Sequence, residues 1–258
     1  MLYNIANLVK QYGEIIAVVP ATTPIPPLGL AQIFHTFARG DTLWTRTFGG
    51  ASHDEGFSVW QTTDKGFTIA GLTQSFGAGE DDVYLIKTNA RGDTLWTRTF
   101  GGDDDDFGYS VRQTADGGYI LAGLTESHGA GGEDVYLVRT NAAGDTLWTR
   151  TYGGPNSDEA HSVQVSADGG FVVAGSTHSF GAGNFDGYLI RTGPRGELLW
   201  TKTLGGTGDD GAWSVAPAAG GGFFVAGYKS SGATGDRDVL LVKTDSAGNV
   251  LADRPTVH

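Results

Sequence analysis

The phrase Gly-Asp-Thr-Leu-Trp-Thr-Arg-Thr begins at Gly40, at Gly92 and at Gly144. A variant, Gly-Glu-Leu-Leu-Trp-Thr-Lys-Thr, begins at Gly196, and a worn copy, Gly-Asn-Val-Leu-Ala-Asp-Arg, begins at Gly248. Each start lies 52 residues after the last, with no insertion or deletion between them. A period of this length marks tandem supersecondary units, none of which buries its apolar surface alone, so that each must stack on its neighbours. Any fold for the chain has to be assembled from copies of this module.

Turn chemistry divides one period into four short strands. In the copy beginning near Tyr109, Tyr109–Thr114 alternates as a strand, and Asp116-Gly117-Gly118 supplies the positive-φ positions of a hairpin turn. Tyr119–Leu124 is almost wholly apolar, as expected of a strand buried on both faces. A Gly-rich loop leads to Val135–Thr140, and Asn141–Gly144 turns the chain into Thr146–Thr151. The 42 glycines, about twice the ordinary share, follow from this density of turns. No segment of a repeat has helical spacing, so the class is all-β.

A four-stranded sheet that is apolar on both faces is covered when such sheets stack radially about an axis, which also protects their edges. The expected architecture is therefore a β-propeller of five four-stranded antiparallel blades, approximately 1–48, 56–100, 108–152, 160–204 and 212–254, in a single domain over 1–258; the rival is four blades plus a loosely attached N-terminal arm. The first blade is degenerate: Ile5–Lys10 and Ile15–Val19 echo the first two strands of the later repeats, and the proline-rich 21–30 takes the place of the Gly-rich loop. The start is read as part of the fold, because Glu14 and the prolines interrupt any leader-like apolar stretch. No apolar run approaches the length of a membrane-spanning helix.

The pattern Gly-x-x-Leu-Trp-Thr-Arg-Thr-(Phe/Tyr)-Gly-Gly, then Asp-x-x-x-Ser-Val, Asp-Gly-Gly-(Tyr/Phe) and Ala-Gly-x-Thr, resembles the SBBP-like β-propeller repeats of secreted bacterial and archaeal proteins. The resemblance covers residues 40–247 well and is nearly silent on activity. It implies an extracellular or cell-surface setting.

Two kinds of residue recur at fixed places. Trp44, Trp96, Trp148 and Trp200 share one repeat position, which suits docking of each blade on the next better than four identical sugar platforms. Asp54, Asp106, Asp158 and Asp210 follow the Gly-Gly pair, and Asp82, Asp134, Asp186 and Asp238 precede the third strand. A carboxylate in a tight loop ordinarily accepts backbone N–H bonds. The alternative for the first series is a hard cation such as Ca²⁺, although no EF-hand spacing is present.

Chemistry is harder to find. The chain has no cysteine, and its six histidines share no repeat position, which removes a disulfide framework and offers no clustered metal ligands. A net charge of −12 disfavours nucleic acid. Catalysis needs a few groups of unlike pKa converging on one substrate, whereas repeated blades present one group several times. The informative positions are those where copies differ. Phe57, Tyr109, His161 and Trp213 precede the recurrent serines Ser58, Ser110, Ser162 and Ser214, and Trp60, Arg112 and Gln164 follow them. Because the first strand of a propeller blade lines the central channel, Phe57, Trp60, Tyr109, Arg112, His161, Gln164 and Trp213 form the candidate ligand contact set. The expectation is a non-enzymatic binding or interaction module with a protein or glycan partner and no cofactor. One alternative is a glycoside hydrolase, for which Glu14, Glu126 and Glu159 are the acids read as lacking counterparts. The other is a structural repeat that assembles into oligomers or filaments.

Overall fold

The structure, a computed structural model, describes residues 9–11, 14–20, 31–36, 42–231 and 236–251, with side chains over 43–230 and 236–251. Every regular element among them is a strand. Each sheet is an antiparallel meander in chain order. The first contains β1 (Val9–Gln11), β2 (Glu14–Pro20), β3 (Ala31–Thr36) and β4 (Thr42–Phe48). The second contains β5 (Asp54–Gln61), β6 (Phe67–Thr73), β7 (Asp82–Thr88) and β8 (Thr94–Phe100). The third contains β9 (Asp106–Gln113), β10 (Tyr119–Thr125), β11 (Asp134–Thr140) and β12 (Thr146–Tyr152). The fourth contains β13 (Asp158–Val165), β14 (Phe171–Thr177), β15 (Asp186–Thr192) and β16 (Leu198–Leu204). The fifth contains β17 (Asp210–Pro217), β18 (Phe223–Ser231) and β19 (Asp236–Lys243).

These boundaries refine the expected ones. The complete blades start at the aspartates 54, 106 and 158, two residues earlier than the turn pattern suggests, because each carboxylate closes the preceding loop. In the first sheet β1 covers Val9–Gln11, and residues 5–8, Tyr12-Gly13 and 21–30 lie outside the described residues. The fifth repeat departs most. After β19, Val250 of the worn phrase makes one isolated bridge with Thr244, and no fourth strand is present among the described residues. Four four-stranded blades and one three-stranded blade are therefore present among the described residues.

The middle strands β6, β7, β10, β11, β14 and β15 are buried at every residue. Their two faces enter different clusters, as expected when a sheet is sandwiched between neighbours. Ile120, Ala122, Val135 and Leu137 pack against Val163, Phe171, Val173 and Ile190 of the next blade. Val172, Ala174 and Leu189 pack against Val215, Phe223 and Val225 of the blade after it. The first strands also stand side by side. Val111 N donates to Ser58 Oγ at 3.3 Å, Val163 N to Ser110 Oγ at 3.2 Å, and Val215 N to Ser162 Oγ at 3.4 Å. These bonds give the recurrent serines a role and arrange β5, β9, β13 and β17 as the innermost strands of a radial array.

The onward face of the fifth blade is open. Val239 is 90% exposed and Leu241 70%, whereas Val83 and Leu85, at the same repeat positions, are 1% and 0% exposed. Phe224 joins them at the surface. The fifth sheet thus carries an apolar face of the kind that other blades bury.

Candidate functional site

Four residues of the predicted contact set sit at one recurrent structural irregularity, once in each of four strands. Strands β5, β9, β13 and β17 each carry a bulge against their second strand, with register breaks at Gly56/Ser58, Gly108/Ser110, Ala160/Ser162 and Ala212/Ser214. The extra residues are Phe57, Tyr109, His161 and Trp213. A bulge leaves its extra residue outside the ladder and re-aims the side chain. The Ala-Gly signature of the second strand is the other half of the device. Carbonyls of Glu55, Phe107, Glu159 and Gly211 lie so close over Gly71, Gly123, Gly175 and Gly227 that a Cβ there would overlap them.

The four re-aimed rings form a continuous run across four blades. Ring centroids are 5.1 Å apart for Phe57 and Tyr109, 5.9 Å for Tyr109 and His161, and 4.1 Å for the stacked pair His161 and Trp213. Phe107 adds an edge contact to Tyr109 and Tyr228 a tilted one to Trp213. Phe57, Tyr109 and Trp213 are half-buried, and the His161 side chain is only 9% exposed.

Three residues further along, a second run crosses the same strands. The Arg112 guanidinium carbon lies 4.7 Å from the Trp60 ring centroid, and Arg112 Nε donates to Gln164 Oε1 at 3.2 Å. The structure therefore brings the predicted set together as two groups, one ring-to-ring and one built on Arg112. Ala216 ends the second run.

Electrostatics single out the fourth blade. Glu159, on β13, has its carboxyl pushed up to about 7 by burial, with the charge of Glu133 adding to the effect. Burial pulls the His161 imidazole down to about 4. His161 Nε2 lies 3.9 Å from Glu159 Oε2 and 3.4 Å from Ser176 Oγ. At neutral pH the imidazole is uncharged and the carboxyl near its midpoint. Glu159 also has a counterpart after all, Glu55, two repeats upstream on β5. Glu55 accepts from, or pairs with, His53 Nε2 at 2.9 Å. Glu126 lies in the loop after β10, and Glu14 lies in β2, whose side chains fall outside the described residues.

The recurrent acids occupy loop-closing positions. Asp158 is fully buried and accepts from Gly154 N at 2.8 Å, Ser179 Oγ at 2.6 Å and the Thr177 hydroxyl. Asp54 accepts from Gly50 N at 2.9 Å, Ser75 Oγ at 2.7 Å and the Thr73 hydroxyl, and Asp106 from Gly102 N at 2.8 Å and Ser127 Oγ at 2.7 Å. Asp210 takes Gly206 N at 2.6 Å and Ser230 N at 2.9 Å. Asp82, Asp134 and Asp186 hold the Gly-rich loop through Ala78 N, Ala130 N and Ala182 N at 2.9, 2.7 and 2.9 Å, whereas Asp238 is exposed. Each of the four first-series carboxylates lies in a different blade. Among the described residues no three acids or histidines stand close enough to hold one ion.

The tryptophans lie on the outermost strands and reach the next blade. Trp44 packs at 5.7 Å from Phe67, Trp96 at 5.7 Å from Tyr119, Trp148 at 5.9 Å from Phe171 and Trp200 at 6.2 Å from Phe223. One recurrent interaction escapes the motif reading. Lys87 pairs with Asp64 at 2.9 Å, Arg139 with Asp116 at 2.6 Å and Arg191 with Asp168 at 2.5 Å, each tying the third strand to the hairpin turn. The signal was present as a cation at one place in the repeat and an aspartate two residues before a glycine in the hairpin turn.

The radial array of four-stranded antiparallel sheets defines the class as a β-propeller. No family model matches the chain. The regulatory protein FlaEY of Caulobacter vibrioides is 26% identical over 203 residues, covering 68% of this chain and 21% of the relative, so the chain spans about a fifth of that protein's length. Among solved structures, the Pan2 WD40 domain of Neurospora crassa superposes with a TM-score of 0.59 at 10% identity, over 96% of this chain and 64% of that one. A Bifidobacterium bifidum protein assigned as an exo-β-1,3-galactanase superposes with a TM-score of 0.50 at 13% identity, over 98% of this chain and 92% of that one. Such identities establish the fold alone. The neighbours include both enzymes and non-enzymes.

Proposed function

We propose that the protein is a non-enzymatic binding module that takes a glycan on its inner-strand surface, in a secreted or cell-surface setting. The observation that carries this reading is the run Phe57–Tyr109–His161–Trp213, set by four bulges into one aromatic track in which Phe57, Tyr109 and Trp213 are half-buried. Aromatic faces with polar neighbours suit the C–H faces and hydroxyls of a sugar, and bulges recur next to binding sites. The extracellular setting rests on the resemblance to secreted propeller repeats. An oligosaccharide array probed with the full chain tests the proposal. The wild type retains a subset of glycans, and Trp213→Ala and Tyr109→Ala each lower the retained signal at least tenfold with circular dichroism unchanged. Retention of no glycan, or equal retention by both variants, refutes it.

One observation favours hydrolysis instead: Glu159 is held near 7 beside His161, a suitable range for a general acid. Glycoside hydrolysis needs a second carboxylate flanking the bond, and Glu55, its counterpart, is engaged by His53. Turnover of chromogenic glycosides that Glu159→Gln abolishes would replace binding by catalysis.

The same proposal takes the five repeats as one ring, with the first sheet seated on the open face of the fifth. Two facts support closure: Val239, Leu241 and Phe224 keep the apolar character of covered positions, and the chain superposes on nearly the full length of the galactanase-assigned neighbour. Because the chain lacks cysteine, Val239→Cys introduces a single thiol. We expect it to react with maleimide at least tenfold more slowly than Leu95→Cys, an exposed outer-strand control. Equal rates mean that the face stays open.

A further inference from the structure

The second run on the inner strands contains a cation that the fold does not explain. A guanidinium carries five N–H donors. Arg112 uses Nε on Gln164 and one Nη1 hydrogen on its own neighbour's carbonyl, Val111 O, at 2.7 Å. Among the described residues no carboxylate pairs with it, although Lys87, Arg139 and Arg191 each have one. Burial of the uncompensated charge pulls its pKa down to about 10, which still leaves it cationic at neutral pH. Desolvating an ion without a counter-charge is costly and is ordinarily avoided.

A second anomaly lies on the same side of the molecule. Lys65 is the only non-glycine residue with positive φ among the described residues, at 68°. The three later repeats place Gly117, Gly169 and Gly221 there, at 82°, 81° and 97°. A side chain adopts left-handed backbone only at a cost, and strain of this kind gathers where a site needs a particular group. Lys65 lines an open depression of about 440 Å³ together with Trp60, Gln61, Thr63, Gln113 and Thr114. Trp60 belongs to both features, stacked on Arg112 and forming a wall of the depression. Among the described residues the acids of the flanking turns, Asp64 and Asp116, are bonded to Lys87 and Arg139, while Lys65 and Arg112 bring two further cations to this end of a chain whose net charge is −12.

We infer that the end of the inner strands formed by Trp60, Lys65 and Arg112 recognises the carboxylate of an acidic saccharide, with a sugar ring against Trp60. The inference rests on the glycan-binding reading and narrows it to uronic-acid polymers. Three Arg112 donors remain to receive the anion, and a planar fork suits a carboxylate better than a point charge does. Lys65, which lines the same depression, adds a second cation from the turn.

Isothermal titration of the full chain with trigalacturonate and with neutral galactotriose tests it. We expect the acidic trimer to bind at least tenfold more tightly, and Arg112→Gln to abolish that preference, with Arg112→Lys recovering part of it. Lys65→Gly should weaken the acidic trimer severalfold while raising the melting midpoint, a combination that a merely structural lysine would not give. It also keeps the test open if Arg112→Gln does not fold. Equal affinity for the two trimers overturns the acidic specificity and leaves the binding module standing. Binding of neither overturns both readings, and acidic binding that is indifferent to Arg112→Gln and Lys65→Gly overturns the assigned residues.

Discussion

Asp158→Ala should lower the unfolding free energy by about 3–4 kcal/mol, measured as a fall in the urea midpoint at unchanged slope. The carboxylate is wholly buried and closes the loop before its own strand by accepting from Gly154 N, Ser179 Oγ and Thr177 Oγ1. Hydrogen bonds to an ionised acceptor contribute about 1.5–3 kcal/mol each, and three donors would be left without one. Entry of water into the gap recovers part of that loss. Asp158→Asn retains one carbonyl oxygen but turns an amide donor toward other donors, so its cost falls between wild type and alanine. Calcium addition or chelation should leave the wild-type midpoint in place. A calcium-dependent midpoint together with an Asp158→Ala cost below about 1 kcal/mol would assign the carboxylate to a cation instead.

Much of this architecture was legible before any coordinates, because the period, the Asp-Gly-Gly turns and the apolar second strands all demand the same radial stacking. The recurrent serines and the Ala-Gly pair were visible too, but their meaning was not. Only the paired registers show that Gly71 and its equivalents make room for a bulge, and hence why Phe57, Tyr109, His161 and Trp213 are the residues aimed out of the ladder. The pairing of the buried Lys87, Arg139 and Arg191 is not legible in the sequence because their acids stand 23 residues away, in a hairpin whose composition is already accounted for by its turn. Repeat arithmetic says less about the fifth blade for a different reason. It counts copies and assigns each face a neighbour, whereas Val239 and Leu241 depend on what packs against the end of the array.

Trp148→Ala tests whether the outer-strand tryptophans hold the seams between blades, and the expected loss is about 3 kcal/mol. The ring reaches Phe171 in the next blade and lies under Arg150, whose guanidinium carbon is 5.8 Å from its centroid. It is also the floor on which the next repeat phrase begins. A Cβ placed on Gly196, at φ +79°, would stand 3.1 Å from the ring carbon Cζ3. Gly196→Ala should therefore cost about 1–2 kcal/mol for the left-handed backbone, with a further penalty from contact with the ring. Removing the ring removes its share of that second penalty and leaves the closer approach to Arg150 Cγ, at 2.8 Å. Combining Trp148→Ala with Gly196→Ala should thus cost less than the two single changes added together, by about 0.5–1 kcal/mol. Full additivity would mean that the tryptophan and the glycine do not touch in solution. A Trp148→Ala midpoint within error of wild type would remove the tryptophan from the list of seam anchors, leaving the aliphatic clusters between the middle strands to hold the array.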